Sequence, residues 1–261
     1  MTKRFFSDTK KYFNYSVASA KAALKAEVAN SYLNWIWWIL EPACFTAIYA
    51  FVFGSVFNAS EEYFLIFIVI GISIWDFFSR TVKNSVNIMR TNKAIVSRIY
   101  LPKYVLIYVR IGVNGFKMLI SFGIAVLLMI CFRVPISWRI VLSIPLLINL
   151  ILFTFGISCF LLHFGVFVAD LSNIVDIVLR FVFYITGIFY SLINKLPAPY
   201  GKILATVNPV AYCINQMRNV LLYKTSPNYW VVLAWFVISL VISIFGVRLI
   251  YKNENSYVKS I

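Results

Sequence analysis

Acidic residues are scarce in this sequence, which has 9 Asp and Glu against 24 Lys and Arg, and only 1 His, among its 261 residues. Charged residues make up 13% of the chain, whereas 62% of it is hydrophobic. A soluble single-core domain of this size does not normally reach such a proportion. Several uncharged stretches are as long as the roughly 18–20 residues that a helix needs to cross a bilayer. The composition therefore predicts an all-α, polytopic membrane protein.

Motifs for catalysis and for energy coupling are also missing. The sequence has no G-x-x-x-x-G-K-[ST] loop to hold nucleotide phosphates, so ATP would have to be hydrolysed on another chain. It has no H-E-x-x-H, no G-x-S-x-G and no Cys–His cluster. Cys44, Cys131, Cys159 and Cys213 include no close pair, so the sequence predicts neither a metal site nor a disulfide framework. Most of them lie in or beside apolar stretches, as expected of small core residues. We expect no catalytic residue, metal ligand or cofactor on this chain.

The net charge of +15 is carried by Lys and Arg residues spread between apolar stretches. Such residues fix the topology of membrane proteins and bind anionic lipid headgroups. No nucleic-acid recognition module accompanies them, so we expect no nucleic-acid partner.

Six membrane spans are predicted, preceded by a surface helix. In residues 1–34, apolar side chains recur at three- and four-residue steps among lysines, which is typical of an amphipathic interface helix. A helix packed on a soluble partner would show the same pattern. The predicted spans cover 35–57, 63–79, 111–132, 140–168, a stretch from Ile177 onwards, and 229–250. The other segments are short, so we expect one transmembrane domain over residues 1–261.

The positive residues predict the orientation. They concentrate in residues 1–34, in a long connection over 80–110 and in the C-terminal tail. In the predicted order of spans, these three segments lie on the same side of the membrane. Because positive residues mark the cytoplasmic side, both termini are predicted to be cytoplasmic. Ionisable residues inside the spans are few, which disfavours a proton- or ion-coupled carrier.

Residues 185–228 are irregular, because Pro197, Pro199, Pro209 and Pro227 interrupt moderately apolar stretches. We expect short external helices, one of them over residues 210–223, that re-enter the outer leaflet where neighbouring protein satisfies their backbone groups. An ordinary external loop with surface helices is the alternative.

Aromatic residues form stripes on the first two spans. Trp35, Trp38, Phe45, Tyr49 and Phe53 fall within an arc of about 80° on a helix, and Phe64, Phe67, Trp75 and Phe78 share a face of the second span with Gly71. Flat, weakly polar rings suit the apolar faces of sugars and let a polymer slide. The same rings could simply pack helices or anchor them at the membrane interface.

Two groups of motifs resemble a known family. The first is the aromatic start of span one, W-I-W-W-I-L-E-P over residues 35–42. The second is I-F-Y over residues 188–190, followed by Asn208-Pro209 and Arg218. With the span count and the N-terminal helix, they make the chain similar to the membrane components of polysaccharide and teichoic-acid ABC exporters, which include O-antigen and capsule export permeases. Ala169-Asp170 stands where the family often has Arg-Asp, which leaves the subfamily open.

The resemblance implies a multi-pass protein of the bacterial cytoplasmic (inner) membrane that acts as a homodimer. Two copies of an ABC nucleotide-binding subunit would carry ATP and Mg, and an export channel for an undecaprenyl-linked glycan would follow the dimer interface. The coupling connection would be residues 80–110 and the external gate 185–228.

The resemblance and the stripes together predict four groups of site residues. The substrate channel would use Trp35, Trp38, Phe45, Tyr49, Phe64, Phe67, Trp75, Tyr184, Phe189 and Tyr190. ATPase coupling would use Arg90, Lys93 and Arg98, and entry of the lipid head would use Lys21 and Lys25. The structural motif would comprise Glu41, Pro42, Asn208, Pro209 and Arg218.

Three other functions remain open on the sequence. An ABC-type drug or small-lipid exporter would share the helices and the partner without needing an aromatic channel. A membrane enzyme acting on lipid-linked sugars would need a catalytic constellation, and a secondary carrier would be insensitive to ATP depletion. Whether the polymer is O-antigen, capsule or teichoic acid also remains open.

Overall fold

The computed structural model describes residues 2–29, 32–56, 61–135 and 137–260, and every extended regular element in these ranges is helical. The α-helices are α1 (Thr2–Val28), α2 (Trp37–Ala50), α3 (Phe64–Val86), α4 (Ile88–Thr91), α5 (Lys93–Val96), α6 (Tyr104–Cys131), α7 (Ser143–Phe167), α8 (Leu171–Ile185), α9 (Leu192–Lys195), α10 (Tyr200–Val207), α11 (Pro209–Leu221) and α12 (Tyr229–Ser260). Short 3-10 turns precede α2 and α7, and a π-helical segment follows α2. The all-helical expectation is confirmed for these residues.

Within the described residues, five helical stretches are long and apolar enough to cross a membrane. They are Asn34–Gly54, Phe64–Val86, Tyr104–Cys131, Trp138–Phe167 and Tyr229–Tyr257. They correspond to the first four predicted spans and the last. The predicted fifth span corresponds to α8, which has 15 residues and is therefore about 22 Å long, too short to cross a core of about 30 Å alone.

Several predicted boundaries are wrong, and most err by making a helix too short. α3 continues to Val86 and α6 begins at Tyr104, so the connection between them covers 87–103 and not 80–110. α8 begins at Leu171 rather than Ile177, and α12 continues to Ser260. Hydropathy detects only the apolar part of a helix, whereas the backbone hydrogen bonds of the helix continue beyond that part. Most of the predicted 58–62 loop lies outside the described residues.

Helix α3 forms the centre of the bundle. In its most apolar part 78% of the residues are buried, against 33% or less in the other four candidate spans. Ile66, Ile68, Ile70 and Ile74 have no exposed surface although they lie on opposite sides of the helix, so α3 is enclosed there by other parts of the chain. A helix that is apolar all round belongs in such a position. The other spans keep apolar faces free for lipid or for another chain.

Small residues let the outer helices approach closely, which is the usual basis of helix packing in membranes. Gly246 of α12 lies so near α7 that an added Cβ would stand 2.7 Å from the Cβ of Cys159. Nearby, the Ser239 hydroxyl donates to Asn149 Oδ1 at 2.8 Å and the Ser243 hydroxyl to the carbonyl of Leu152 at 2.9 Å. α7 and α12 therefore form a tight pair.

Replacing Gly165 with alanine is expected to destabilise the bundle. An added Cβ would overlap the backbone carbonyl of Val86 at the end of α3, and a backbone atom cannot yield as a flexible side chain can. We expect a loss of about 1–3 kcal/mol, the usual effect of overpacking, seen as a lower midpoint of thermal unfolding in detergent. Gly123→Ala is the matched control, because nothing lies within 4 Å of its added Cβ. Equal midpoints for the two variants would contradict this packing.

The first turns of α1 and the last turns of α12 lie at the same end of the bundle. Arg4 Nη2 is 2.9 Å from Glu254 Oε1, and the Tyr251 hydroxyl donates to Asp8 Oδ2 at 2.9 Å. The connection 87–103 reaches this end too, since Arg4 also donates to the Tyr100 hydroxyl.

Candidate functional site

The Asn-Pro pair of the sequence begins helix α11. Asn208 Oδ1 accepts hydrogen bonds from the backbone N–H groups of Val210 and Ala211, at 3.0 and 3.2 Å, and Pro209 occupies the first turn, where its missing N–H costs nothing. Asn208 Nδ2 also donates to Thr186 Oγ1 at 3.1 Å. One side chain thus caps α11 and ties its start to the end of α8.

Arg218 lies in the protein interior, 3% exposed, and donates to three backbone carbonyls. Its Nη1 is 2.8 Å from Gly187 O, its Nη2 is 2.7 Å from Ile188 O, and both Nε and Nη2 reach Phe67 O, at 3.2 and 3.0 Å. The guanidinium also stands over the ring of Phe67, 3.3 Å from its centroid. The planar fork of arginine can serve several acceptors together while stacking on a ring, which the ammonium of lysine cannot do.

These contacts explain how the chain can break its helix inside the bundle. After α8 the backbone turns at Gly187, whose φ of +70° lies in the left-handed region that glycine readily adopts. The carbonyls of residues 187 and 188 point to the guanidinium of Arg218 instead of continuing a helix. Gly71 of α3 makes room for it, because an added Cβ would lie 2.6 Å from Arg218 Nη2. Arg218 therefore holds α3, the turn after α8, and α11 together.

A second feature is a continuous group of aromatic rings from α2 and α8 and the segments that follow each of them. We call it the aromatic surface. Phe189 is its centre and contacts Tyr49 at 4.7 Å between ring centroids, Phe53 at 4.3 Å and Phe183 at 5.4 Å. Its other members, Phe45, Tyr184 and Tyr190, join through Tyr49, through Phe183, and through a 2.9 Å hydrogen bond from the Tyr190 hydroxyl to the carbonyl of Tyr184.

The aromatic surface is buried at its centre and open at its rim. Phe189 is 5% exposed, whereas Phe45 is 45% exposed and Tyr184 is 68% exposed. The outer rings can therefore touch another molecule, while Phe189 fixes their positions.

The structure brings five of the ten predicted channel residues into this surface: Phe45, Tyr49, Tyr184, Phe189 and Tyr190. Trp75 lies behind it, 5.5 Å from Phe183, and is buried. Trp38 faces α6 instead, edge-on to Phe116 at 5.5 Å. Phe64 stacks on Phe67 in the core, and Trp35 lies exposed in the turn before α2.

Two rings of the aromatic surface, Phe53 and Phe183, are absent from the predicted channel set. Phe53 belongs to the stripe on the first span, so its signal was available in the sequence. Phe183 directly precedes Tyr184, and nothing in the local sequence distinguishes a ring that faces inwards from its exposed neighbour.

The Glu-Pro pair lies at the other end of α2, in a group of ionic residues. Arg80 Nη2 of α3 is 2.5 Å from Glu41 Oε1 and 3.5 Å from Asp76 Oδ2. Pro42 cannot donate a backbone hydrogen bond and so loosens α2 here. The ion pair to Arg80 therefore ties α2 to α3 at the point where Pro42 interrupts the backbone hydrogen bonds of α2.

The remaining predicted residues are basic and exposed. Lys21 and Lys25 lie on α1, Arg90 lies at α4 and Lys93 begins α5. Arg98 follows α5 in the same connection. They form two positive regions, one on α1 and one on 87–103.

The apolar helices are those of a polytopic helical membrane protein, and the broken helix beside the aromatic surface is a feature common among transporters.

Within that class, the chain belongs to the ABC-2 type transporter family, whose model matches residues 18–222. Two Klebsiella pneumoniae proteins named O-antigen export system permease protein RfbA are each 25% identical to it, over 94% of both chains. A Myxococcus xanthus protein of the same name is 19% identical over 99% of both chains.

Proposed function

We propose that this chain is the membrane-spanning subunit of an ATP-driven exporter that moves a lipid-linked cell-surface polysaccharide across the bacterial cytoplasmic membrane. Membership of the ABC-2 family and the full-length similarity to O-antigen export permeases support this proposal. The observation that carries it is the aromatic surface, whose exposed rings suit a chain of sugar rings.

The proposed path of the chain has six crossings. The five long spans are an odd number, yet the first turns of α1 and the last turns of α12 lie at the same end, so residues 171–228 must add one crossing if α1 stays on the surface. α8 starts at the end where Lys83 Nζ is 2.9 Å from Asp176 Oδ2, and its following turn reaches Gly71 near the middle of α3. In this path α9, α10 and α11 fill the opposite half of the membrane as re-entrant helices.

The positive residues on α1 and on 87–103 support an orientation in which that end lies in the cytoplasm, with both termini. In this orientation, Lys21 and Lys25 meet the headgroups of the inner leaflet and attract the pyrophosphate of the lipid-linked glycan. The connection 87–103, with Arg90, Lys93 and Arg98, faces an ABC ATPase subunit that carries ATP and Mg.

The transport unit would be a homodimer. Only the rims of the aromatic surface are exposed on one chain, and two copies facing each other would enclose a channel lined by Phe45, Tyr49, Tyr184 and Tyr190. Arg218 would keep the external segment in place while this channel opens.

The test is to co-express the chain with an ABC ATPase subunit from the same genome, purify the complex and reconstitute it in lipid. ATP hydrolysis is then measured with and without an undecaprenyl-linked glycan. We expect the glycan to stimulate hydrolysis about five-fold or more, a typical coupling between two sites. Stimulation by small lipids or drugs but not by the glycan would favour the other type of ABC exporter, and failure of any ATPase to associate would contradict the proposal.

A further inference from the structure

Three distant segments of the chain meet at one polar cluster, which we call the terminal junction. It contains Arg4 and Asp8 of α1, Tyr100 and Tyr104 at the boundary of the 87–103 connection and α6, and Tyr251 and Glu254 of α12. The aromatic surface, the ion pairs of Glu41 and the Arg218 contacts all lie elsewhere, so no role proposed above accounts for it.

Glu254 is the hub of the junction. Its Oε1 and Oε2 accept from Arg4 Nη2 at 2.9 and 3.2 Å, and Oε2 also accepts from the Tyr100 hydroxyl at 3.2 Å. Arg4 in turn donates to that hydroxyl, so the three side chains form a closed triangle. One carboxylate of α12 therefore holds both the start of α1 and the end of the connection.

A second set of contacts repeats the same connections with other atoms. The Tyr251 hydroxyl donates to Asp8 Oδ2 at 2.9 Å and is 3.1 Å from the Tyr104 hydroxyl. Arg4 also stands over the ring of Tyr251, 4.4 Å from its centroid. Tyr12, one turn after Asp8 along α1, donates to the carbonyl of Tyr100 at 3.2 Å.

A single ion pair at a surface contributes little to stability, because water screens it. The terminal junction differs, since its charges share partners and the side chain of Glu254 is only 19% exposed, while that of Arg4 is 46% exposed. The hydrogen bond to Glu254 raises the pKa of Arg4 above its ordinary value, as expected for a guanidinium whose charged form is bound by a carboxylate. The shared partners, rather than any one ion pair, connect the helices here.

The position of the junction indicates its use. Tyr100 lies near the end of the connection that carries two four-residue helices, α4 and α5, and the exposed Ile95 and Ile99. A force on this connection reaches α1 and α12 at Tyr100, where the side chains of both are bound.

We propose that the terminal junction makes α1 and α12 move together with the 87–103 connection, so that Arg4, Tyr100 and Glu254 are positioning residues for the coupling of ATP hydrolysis to export. The coupling role rests on the proposed function. The mechanical part concerns this chain alone and can be tested without an ATPase.

The first measurement is hydrogen–deuterium exchange of the purified chain in detergent, comparing wild type with Glu254→Gln. Loss of the shared carboxylate charge is expected to raise exchange both in residues 2–12 and in residues 97–105. Lys10→Gln is the matched control, because Lys10 is exposed and lies on the face of α1 opposite Arg4 and Asp8. A rise confined to one segment would overturn the proposal, since the segments would then not be held as a unit.

The second measurement is the amount of glycan exported per ATP hydrolysed by the reconstituted complex, for Arg4→Gln, Glu254→Gln and the double variant. We expect each single change to lower this ratio about five-fold or more, and the double change to lower it no further, because the two residues act through one contact. A merely structural role would lower the abundance or the unfolding midpoint and leave the ratio unchanged, and that result would overturn the coupling role. If wild type itself exports nothing, the proposed function fails, while hydrogen exchange still decides whether the junction joins the three segments.

Discussion

Arg218→Met is expected to destabilise the protein by about 3 kcal/mol. The change leaves the carbonyls of Gly187 and Ile188 without a partner in the interior, at about 1–3 kcal/mol each, and removes a cation–π contact of up to about 2 kcal/mol. Relief of the buried charge offsets part of this loss. Because few proteins are stable by more than about 15 kcal/mol, the effect is large.

The measurement is the unfolding midpoint in detergent together with the abundance of the chain in membranes. Arg218→Lys is expected to fall between wild type and Arg218→Met, because one ammonium keeps the charge but cannot serve three carbonyls with the geometry of a fork. Lys202→Met removes a positive charge from the exposed face of α10 and should change stability by less than about 0.5 kcal/mol. If Arg218→Met unfolded like this control, the contacts around Gly187 would be incidental to the fold.

Export should fall about ten-fold or more when Phe45 and Tyr184 are both replaced by alanine. Each ring contributes about 0.5–1.5 kcal/mol to a stacked contact beyond its buried area, and a homodimer would lose two of each. Because Phe45 is 45% exposed and Tyr184 is 68% exposed on the single chain, we expect the unfolding midpoint to change little.

Two further variants separate a channel effect from a folding effect. Phe189→Ala removes the buried ring at the centre of the aromatic surface and should lower stability by about 3–5 kcal/mol, with export lost as a consequence. Phe245→Ala removes a ring of α12 that is 56% exposed and is no part of the aromatic surface, so export should be normal. If the double variant exported the glycan normally at normal abundance, the aromatic surface would not be the path of the glycan.

The sequence predicts the helices of this protein better than their ends. Long uncharged stretches identify the five candidate spans, because a bilayer demands them. Their extensions into water, such as α12 beyond Ile250, follow from continued hydrogen bonding and packing at the terminal junction, which hydropathy does not measure. The predicted fifth span does not follow this rule, because α8 ends inside the bundle. There Arg218, and not a further helical turn, donates to the carbonyl of Gly187.

The site is predicted only in part, for a related reason. A helical arc shows which residues share a face but not what covers that face, so Trp38 and Tyr49 have the same periodicity and still meet different neighbours, Phe116 and Phe189. The Asn-Pro pair and Arg218 stand out by resemblance. Their partners Gly71 and Thr186 do not, because they lie more than twenty residues away from Asn208 and Arg218 in the chain and are brought there by tertiary folding.

The Arg218 contacts also impose an order on biogenesis. In the proposed path α11 re-enters the membrane, where an arginine without partners costs about 2.5–3.5 kcal/mol or more, so α11 would not settle there by itself. Its acceptors come from Phe67, synthesised about 150 residues earlier, and from the turn at 187–188. In that path α3 and α8 must be in the bilayer before α11 takes its place. A nascent chain in which α3 is misinserted would then lack the carbonyl of Phe67 as an acceptor for Arg218.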